Sequence, residues 1–308
     1  MKTKTDLAVS GLTTYLMAGA IASVIALPAF AETALTQAVS STTGSSLSAR
    51  VVGSVAGSLS TGISESEAMT PQAQGLAIAK DRKARDIGWQ DSVATLSMVL
   101  ENAQGETSER KLRIKNLEVA DDGDKGLTVF DQPRDVKGTA FLNFSHTTKP
   151  DDQWLYLPAL KRVKRIASRN KSGPFMGSEF AYEDLSSFEI EKYTFTLLKE
   201  ESLNGQASYV LEQIPTDDFS GYTRQVVWLD QMHLRPLKMD FYDRRQALLK
   251  TLDFTDYQQY LDQYWRAHTM VMTNHQTGKK TTLTTHDLQF KTGLSEGDFS
   301  QHSLKRAR

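Results

Sequence analysis

The sequence predicts a mainly β chain: one large curved antiparallel sheet, sandwich or barrel, with few helices. Two observations predict it. Strand-like runs with turn signals between them follow one another at short, even spacing from residue 91 to residue 288. Several of these runs, among them QWLYLP, RQVVWLD and KYTFTLL, carry bulky side chains on both faces, whereas an antiparallel sheet with one wet face alternates cleanly. The sheet therefore has to be covered on its concave side, by a helix, by later short helical segments or by a ligand, and a sheet curved over so few helices leaves a greasy cavity.

In chain order, Lys2 and Lys4 precede an apolar run that ends in Ala29-Phe30-Ala31. A basic start, an apolar middle and a small-x-small end make a cleavable secretory signal over residues 1–31, cut after Ala31. Thr13, Thr14, Gly19 and Pro28 dilute the run, and no basic stop-transfer cluster follows it, which disfavours a spanning anchor. The chain has no Cys, so neither a disulfide nor a lipid on cysteine is available, and export without disulfides suits the bacterial periplasm. Removing the signal leaves 277 residues, and the whole chain balances 36 basic against 37 acidic residues. That balance gives no support to nucleic-acid binding.

Residues 32–66 are rich in Ser, Thr, Gly and Ala, with one Arg and no aromatic residue, and read as a flexible segment. The rival there is a short helix or strand on VVGSVAG. Residues 67–308 read as one domain. Thr70-Pro71 gives an N-cap with proline at the first helical position, and the helix runs through GLAIAKDRKARDI to Gly88. Helical spacing puts Ala73, Leu76, Ala77, Ala84 and Ile87 on one side, with Lys80 interrupting. After Trp89 the period becomes two. Strands follow at SVATLSMVLEN, ERKLRIKNLEV, GLTVF, GTAFLNF, QWLYLP, KYTFTLL, SYVLEQI, RQVVWLD, LKMDFYD, LLKTLDF, HTMVMTNH and KTTLTTHDL, with turns at Asp122-Gly123, Asn204-Gly205, Asp230-Gln231 and Thr277-Gly278.

After Pro158 the run KRVKRI alternates Lys161, Val163 and Arg165 against Arg162, Lys164 and Ile166, so both faces carry cations. Such a strand belongs at a rim, because an unpaired buried charge is very costly. Glu179, Glu183 and Asp184 are the carboxylates placed to pair with it across strands. The functional reading makes Lys161, Arg162, Lys164 and Arg165 a contact for an anionic headgroup or an acidic patch on a partner.

Catalytic patterns are weak. There is no G-x-S-x-G and no cysteine nucleophile. The six histidines form no metal spacing, and Gly278-Lys279-Lys280-Thr281 lacks the leading glycine and the strand–helix setting of a phosphate loop. A wide, adaptable, dry cavity favours Met, Leu and aromatic linings. Leu96, Met98, Leu100, Trp154, Tyr156, Trp228, Met239 and Phe241 are its candidate wall, with alternation fixing neither face absolutely.

The stretches DVKGTAFLNFS, DDQWLYLPALKRVKRIA, SGPFMGSEFAYEDLSS, VVWLD, LLKTLDFTDY and MVMTNHQTGKKTTL together resemble the outer-membrane lipoprotein-sorting protein family, in its LolA-like branch often encoded beside RND-type exporters. The likeness covers most of residues 70–306. It implies an unclosed antiparallel β-barrel with helices as a lid over a hydrophobic cavity that holds acyl chains in the periplasm, no catalysis and no cofactor; the chain is separately expected to be a monomer. It is closer to the exporter-linked branch than to the lipoprotein carrier itself, and residues 32–66 depart from the family pattern. The partners it implies are lipid or acylated cargo and an inner-membrane RND-type exporter. Two other readings are an accessory exporter subunit that carries nothing and a lipid- or glycan-acting hydrolase, which would need a nucleophile–base pair or paired carboxylates in the pocket.

The signal reading makes Glu32 the first residue of the mature chain. N-terminal sequencing of periplasmic material checks this; a chain that begins at Met1 contradicts it.

Overall fold

Helix α1 (Pro71–Ala84) starts where the sequence places it. Thr70 caps it by accepting a hydrogen bond from the Ala73 N–H at 3.2 Å, and Pro71 takes the first turn, where its missing N–H is not needed. The computed structural model describes residues 68–306, so the expected signal and the segment 32–66 lie outside the described residues.

Among the described residues, thirteen antiparallel strands follow in a single sheet. The chain enters at its centre with β1 (Asp91–Glu101) and steps outward through β2 (Thr107–Leu117), β3 (Lys125–Gln132), β4 (Ala140–Phe144), β5 (Asp152–Leu157) and β6 (Arg162–Ile166). It then crosses to the far edge and returns inward through β7 (Tyr193–Leu203), β8 (Gln206–Pro215), β9 (Arg224–Asp230), β10 (Pro236–Tyr242), β11 (Leu248–Tyr260), β12 (Tyr264–Asn274) and β13 (Lys280–Phe290). Strand β13 pairs with β1, with Met98 opposite Leu283. The edges β6 and β7 do not pair, so the barrel stays open. Tight hairpins fix the registers. Between β7 and β8, Asn204 and Gly205 both take positive φ (51° and 84°), as a two-residue type I′ turn requires.

The connection from β6 to β7, residues 167–192, is a strap across the concave face. It carries three short 3-10 turns and a small bridge between Pro174 and Ala181. Phe175 and Phe180 are buried beneath it with Leu96, Met98, Leu112, Phe130, Phe141, Leu155, Phe241 and Met272. The Phe175 ring centroid lies 5.2 Å from that of Phe141 and 5.8 Å from that of Phe130, within the range of favourable aromatic pairs. One end of the barrel is thus filled by its own strap.

Polar anchors hold the strap down. Lys250, on the concave face of β11, donates to Asp184 at 2.7 Å and to the Glu179 carbonyl at 2.8 Å. Both partners of the Lys250–Asp184 pair are nearly inaccessible, with side chains 4% and 6% exposed. Asp184 also accepts from the Tyr222 hydroxyl at 2.7 Å and from the Ala181 N–H at 2.6 Å. Glu183 accepts from Ser220 and from the Gly221 N–H, both at 2.8 Å.

Helix α1 lies on the same face over β7, β8 and β9, where Ile78 packs with Leu197, Leu211, Val227 and Leu229. Its buried side is Gly75, Ile78, Ala79 and Arg82 rather than the expected Leu76 and Ile87, which face solvent. The reason is close approach: a Cβ at Gly75 would sit 2.8 Å from the Leu197 backbone nitrogen. Small residues at positions 75 and 79 let the helix backbone settle on the strand, and that selects this face over the greasier one.

The opposite face of β3–β6 is covered as well. The C-terminal segment, ending in helix α2 (Gln301–Arg306), buries Phe299 and Leu304 against Leu127, Val129, Ala140 and Leu142, with Trp154, Tyr156 and Val163 packed around them. This second cover explains why QWLYLP is apolar on both sides.

The Lys250→Met variant, which strands Asp184, should lose about 3–5 kcal/mol of stability in urea unfolding. Combining it with Asp184→Leu should recover most of that loss. A single variant within 1 kcal/mol of wild type would mean that the strap is held by packing alone.

Candidate ligand-binding cavity

Beyond the filled end, a cavity of about 690 Å³ lies between the concave sheet, the C-terminal half of α1 and strap residues 184–188. That is within the roughly 300–1,000 Å³ of small-molecule sites. Its apolar wall comes from alternate residues of the central strands: Ala94 and Leu96 on β1, Ile114 on β2, Phe254 on β11, Met270 on β12, and Leu288 and Phe290 on β13. Trp89 and Trp265 close one side, and Leu185 and Phe188 of the strap form the roof. A polar corner at Asn143, Ser145, Ser186 and Ser187 adjoins the strap. The exposed lining residues Arg85, Asp86, Gln259, Asp262 and Gln263 mark the mouth.

Charged groups line the mouth and flanks, and nearly all are matched. Arg266 pairs with Asp86 at 2.7 Å, Arg85 with Asp81 at 2.7 Å, Lys83 with the buried Glu189 at 3.0 Å, and Arg235 with Asp230 at 2.8 Å; Lys125 pairs with Glu296. Asp124 stands apart. Burial pushes its carboxyl up to about 6, aided by Glu189 and Glu118 and opposed by Lys83.

Of the eight wall residues expected from the sequence, only Leu96 lines this cavity. Met98 and Phe241 are 2% and 3% exposed and sit in the filled end, with Leu100 and Met239 against the same cluster. Trp154 and Tyr156 lie on the opposite face, under the C-terminal segment. Trp228 is also on the outer face: its neighbours Val227 and Leu229 point toward α1, while its indole donates to Glu201 at 2.7 Å and lies 4.3 Å from the Lys238 ammonium. Alternation separates the two faces of a strand but does not say which one is concave.

The four cations of the opening of β6 also lie away from the cavity. Lys161 caps a 3-10 turn in the left-handed region (φ 48°) instead of extending the strand; Arg162, Lys164 and Arg165 lie on the edge strand β6, and all four side chains are exposed. The expected pairing with Glu179, Glu183 and Asp184 does not form, because those carboxylates serve the strap. Arg165 pairs with Asp152. Lys161, Arg162 and Lys164 make no ion pair among the described residues. Cationic side chains on a free edge also keep a second sheet from adding to it.

The sequence reading passed over Trp89, Trp265, Phe254 and Arg82. DRKAR resembles a solvated helix side, and only the close seat of Gly75 turns Arg82 inward.

An open antiparallel barrel that is plugged at one end and hollow at the other is a container. A family model whose description reads only "uncharacterized protein" matches residues 122–306. A domain from Vibrio parahaemolyticus described as an outer membrane lipoprotein-sorting protein is 72% identical, over 76% of this chain and 99% of its own, with a TM-score of 0.75. A DUF1329 family protein from Desulfovibrio piger is 29% identical over 77% of this chain and all of its own, with a TM-score of 0.73. A LolA superfamily protein from Nitrosomonas europaea shares the fold at 20% identity and a TM-score of 0.60, over 77% of this chain and all of its own. No curated protein matches. The chain belongs to the outer-membrane lipoprotein-sorting protein family, and it shares its fold with the LolA superfamily protein.

The raised Asp124 carboxyl sets a pH-dependent expectation. With a folded value near 6 against an ordinary 3.8, its ionisation opposes folding fully above about pH 6 and not at all below about pH 4. Asp124→Asn keeps an acceptor for the Val119 N–H and removes that cost. It should stabilise the protein by about 1–3 kcal/mol at pH 7.5 and by almost nothing at pH 4, read from urea midpoints. An equal effect at both pH values would show that burial does not raise the Asp124 carboxyl.

Proposed function

We propose that this chain is a periplasmic carrier that binds a lipid, lipoprotein acyl chains or other hydrophobic cargo in the cavity between α1, the strap and the central strands. The observation that carries the reading is the cavity itself: a hollow of about 690 Å³ whose floor is apolar, beside an end of the barrel that the strap fills. Shielding an acyl chain from water is worth roughly 0.8 kcal/mol per buried methylene, so such a floor favours long chains over short ones. The lipoprotein-sorting description of the Vibrio relative supports the same assignment.

In this reading the wall is Leu96 with Trp89, Ala94, Ile114, Phe254, Met270 and Leu288. Met98, Leu100, Met239 and Phe241 form the packed end on which the chain's tip rests. Export through a signal cut after Ala31, a flexible segment at 32–66, a single domain over 67–308 and a monomeric state complete the proposal. An inner-membrane RND-type exporter is the proposed partner, and the exposed Lys161, Arg162 and Lys164 at the β6 edge, which make no ion pair among the described residues, favour a contact there with an acidic patch or an anionic headgroup. The role is binding rather than catalysis.

Protein purified from the periplasm without detergent should release acyl lipid into an organic extract, detected by mass spectrometry at close to one molecule per chain. A lipid-free extract from protein that also fails to take up a fluorescent fatty acid would overturn the carrier reading in favour of a non-carrying exporter subunit.

A further inference from the structure

Among the described residues, six lysine and arginine side chains line the cavity: Arg82, Lys83, Arg85, Lys125, Arg235 and Arg266. Five of them hold a carboxylate: Glu189, Asp81, Glu296, Asp230 and Asp86 in that order. Arg82 has no ion pair among the described residues. Its guanidinium carbon lies 4.4 Å from the centroid of the Phe188 ring in the strap. Burial pulls its pKa down, and Tyr257, Asp86 and Tyr193 offset only part of that loss without forming an ion pair with it.

Position explains why this arginine is inside. Gly75, Ile78, Ala79 and Arg82 recur at helical spacing on the side of α1 pressed against the sheet. Close seating at Gly75 brings the next turns of the helix over the hollow end of the barrel, and Arg82 is the cationic residue of that side. Stacking on an aromatic face is worth about 0.5–2 kcal/mol and orients the planar fork without using its five N–H donors. Leaving those donors without an acid in a half-buried pocket is costly unless something brings one.

Resting on the carrier reading, we infer that Arg82 receives the anionic head of the cargo, so that the cavity selects acyl lipids with a carboxylate or phosphate at the end of the chain. The guanidinium fork matches both oxyanions in a bidentate geometry. The chain then runs from Arg82 along Ala94, Leu96, Phe254 and Met270 toward the packed end. A neutral ester or thioether head would leave Arg82 unmatched, so acylated cargo with an uncharged junction is the disfavoured class.

The test compares four probes on the full mature protein by displacement of a fluorescent fatty acid: palmitate, monoacylglycerol phosphate, monoacylglycerol and palmityl alcohol. Wild type should bind the two anionic probes about 10- to 100-fold tighter than the neutral ones, the fold-change carried by a hydrogen bond to a charged group. Arg82→Gln should abolish the anionic-over-neutral preference by bringing the anionic affinities down to the neutral level, and neutral binding that persists reports an intact cavity. Arg82→Lys, which keeps the charge and loses the fork, should fall between and serves if Arg82→Gln does not fold. A preference for palmitate alone assigns a carboxylate head, and one for monoacylglycerol phosphate alone a phosphate; either supports the inference. Equal binding of all four probes by wild type, or an anionic preference that survives in Arg82→Gln, overturns the role of Arg82 while the carrier reading stands. Binding of none of the four overturns the carrier reading itself.

Discussion

The buried contact between Lys250 and Asp184 is the interaction on which the rest of the architecture depends. The sheet does not close, because β6 and β7 never meet, and the only covalent link between these edges is the strap of residues 167–192. The strap's own backbone hydrogen bonds, such as Phe175 N–H to Phe180 and Tyr182 N–H to Gly173, shape it locally. They do not tie it to the sheet, so it must also be fastened from outside. Asp184 supplies the fastening, with its carboxylate held by Lys250, Tyr222 and the Ala181 N–H. Breaking such a pair is expensive because it leaves the other charge buried alone. Once fastened, the strap drives Phe175 and Phe180 into one end of the barrel and roofs the other with Leu185 and Phe188. The same anchor therefore produces a solid half and a hollow half.

The hollow half persists because the second covering element, α1, is seated on backbone rather than on side chains. Gly75 against Leu197 fixes its height over the sheet, and Ile78 and Ala79 fill the space over β7–β9. Past that point the helix carries Arg82 and Lys83 instead of large apolar groups. It spans the opening without plugging it. Around the mouth, paired charges make a hydrated rim at modest electrostatic cost, while the floor stays apolar. An amphipathic guest with one long chain and one charged end fits that division.

Much of this was legible in the sequence, and the failures arose where long-range packing decided the outcome. The strands, their antiparallel turns, the Thr70 cap and the Pro71 start are local signals, and the structure carries them. What local signals lack is parity. Trp154, Tyr156 and Trp228 were as good a wall as Leu96 until the long-range partners were known: the C-terminal segment with Phe299 and Leu304 for the first two, and Glu201 and Lys238 for the third. The helix face failed for the opposite reason. Hydrophobic spacing favoured Leu76 and Ile87, yet closeness of approach chose Gly75 and Ala79. The basic run of β6 was rightly read as unable to enter a dry core, but its expected carboxylates had already been taken by the strap.

The account's central claim is that cargo lies on the concave face, between α1 and the strap. The chain's four tryptophans divide it cleanly: Trp89 and Trp265 line the cavity, whereas Trp154 and Trp228 lie on the outer face. Fluorescence of four variants, each retaining one tryptophan, titrated with a fatty acid brominated along its chain, locates the guest directly. Strong quenching of Trp89 and Trp265 with little change at Trp154 and Trp228 is the expected result. Quenching confined to Trp154 or Trp228, or equal at all four, would place the acyl chain outside the cavity and contradict the account.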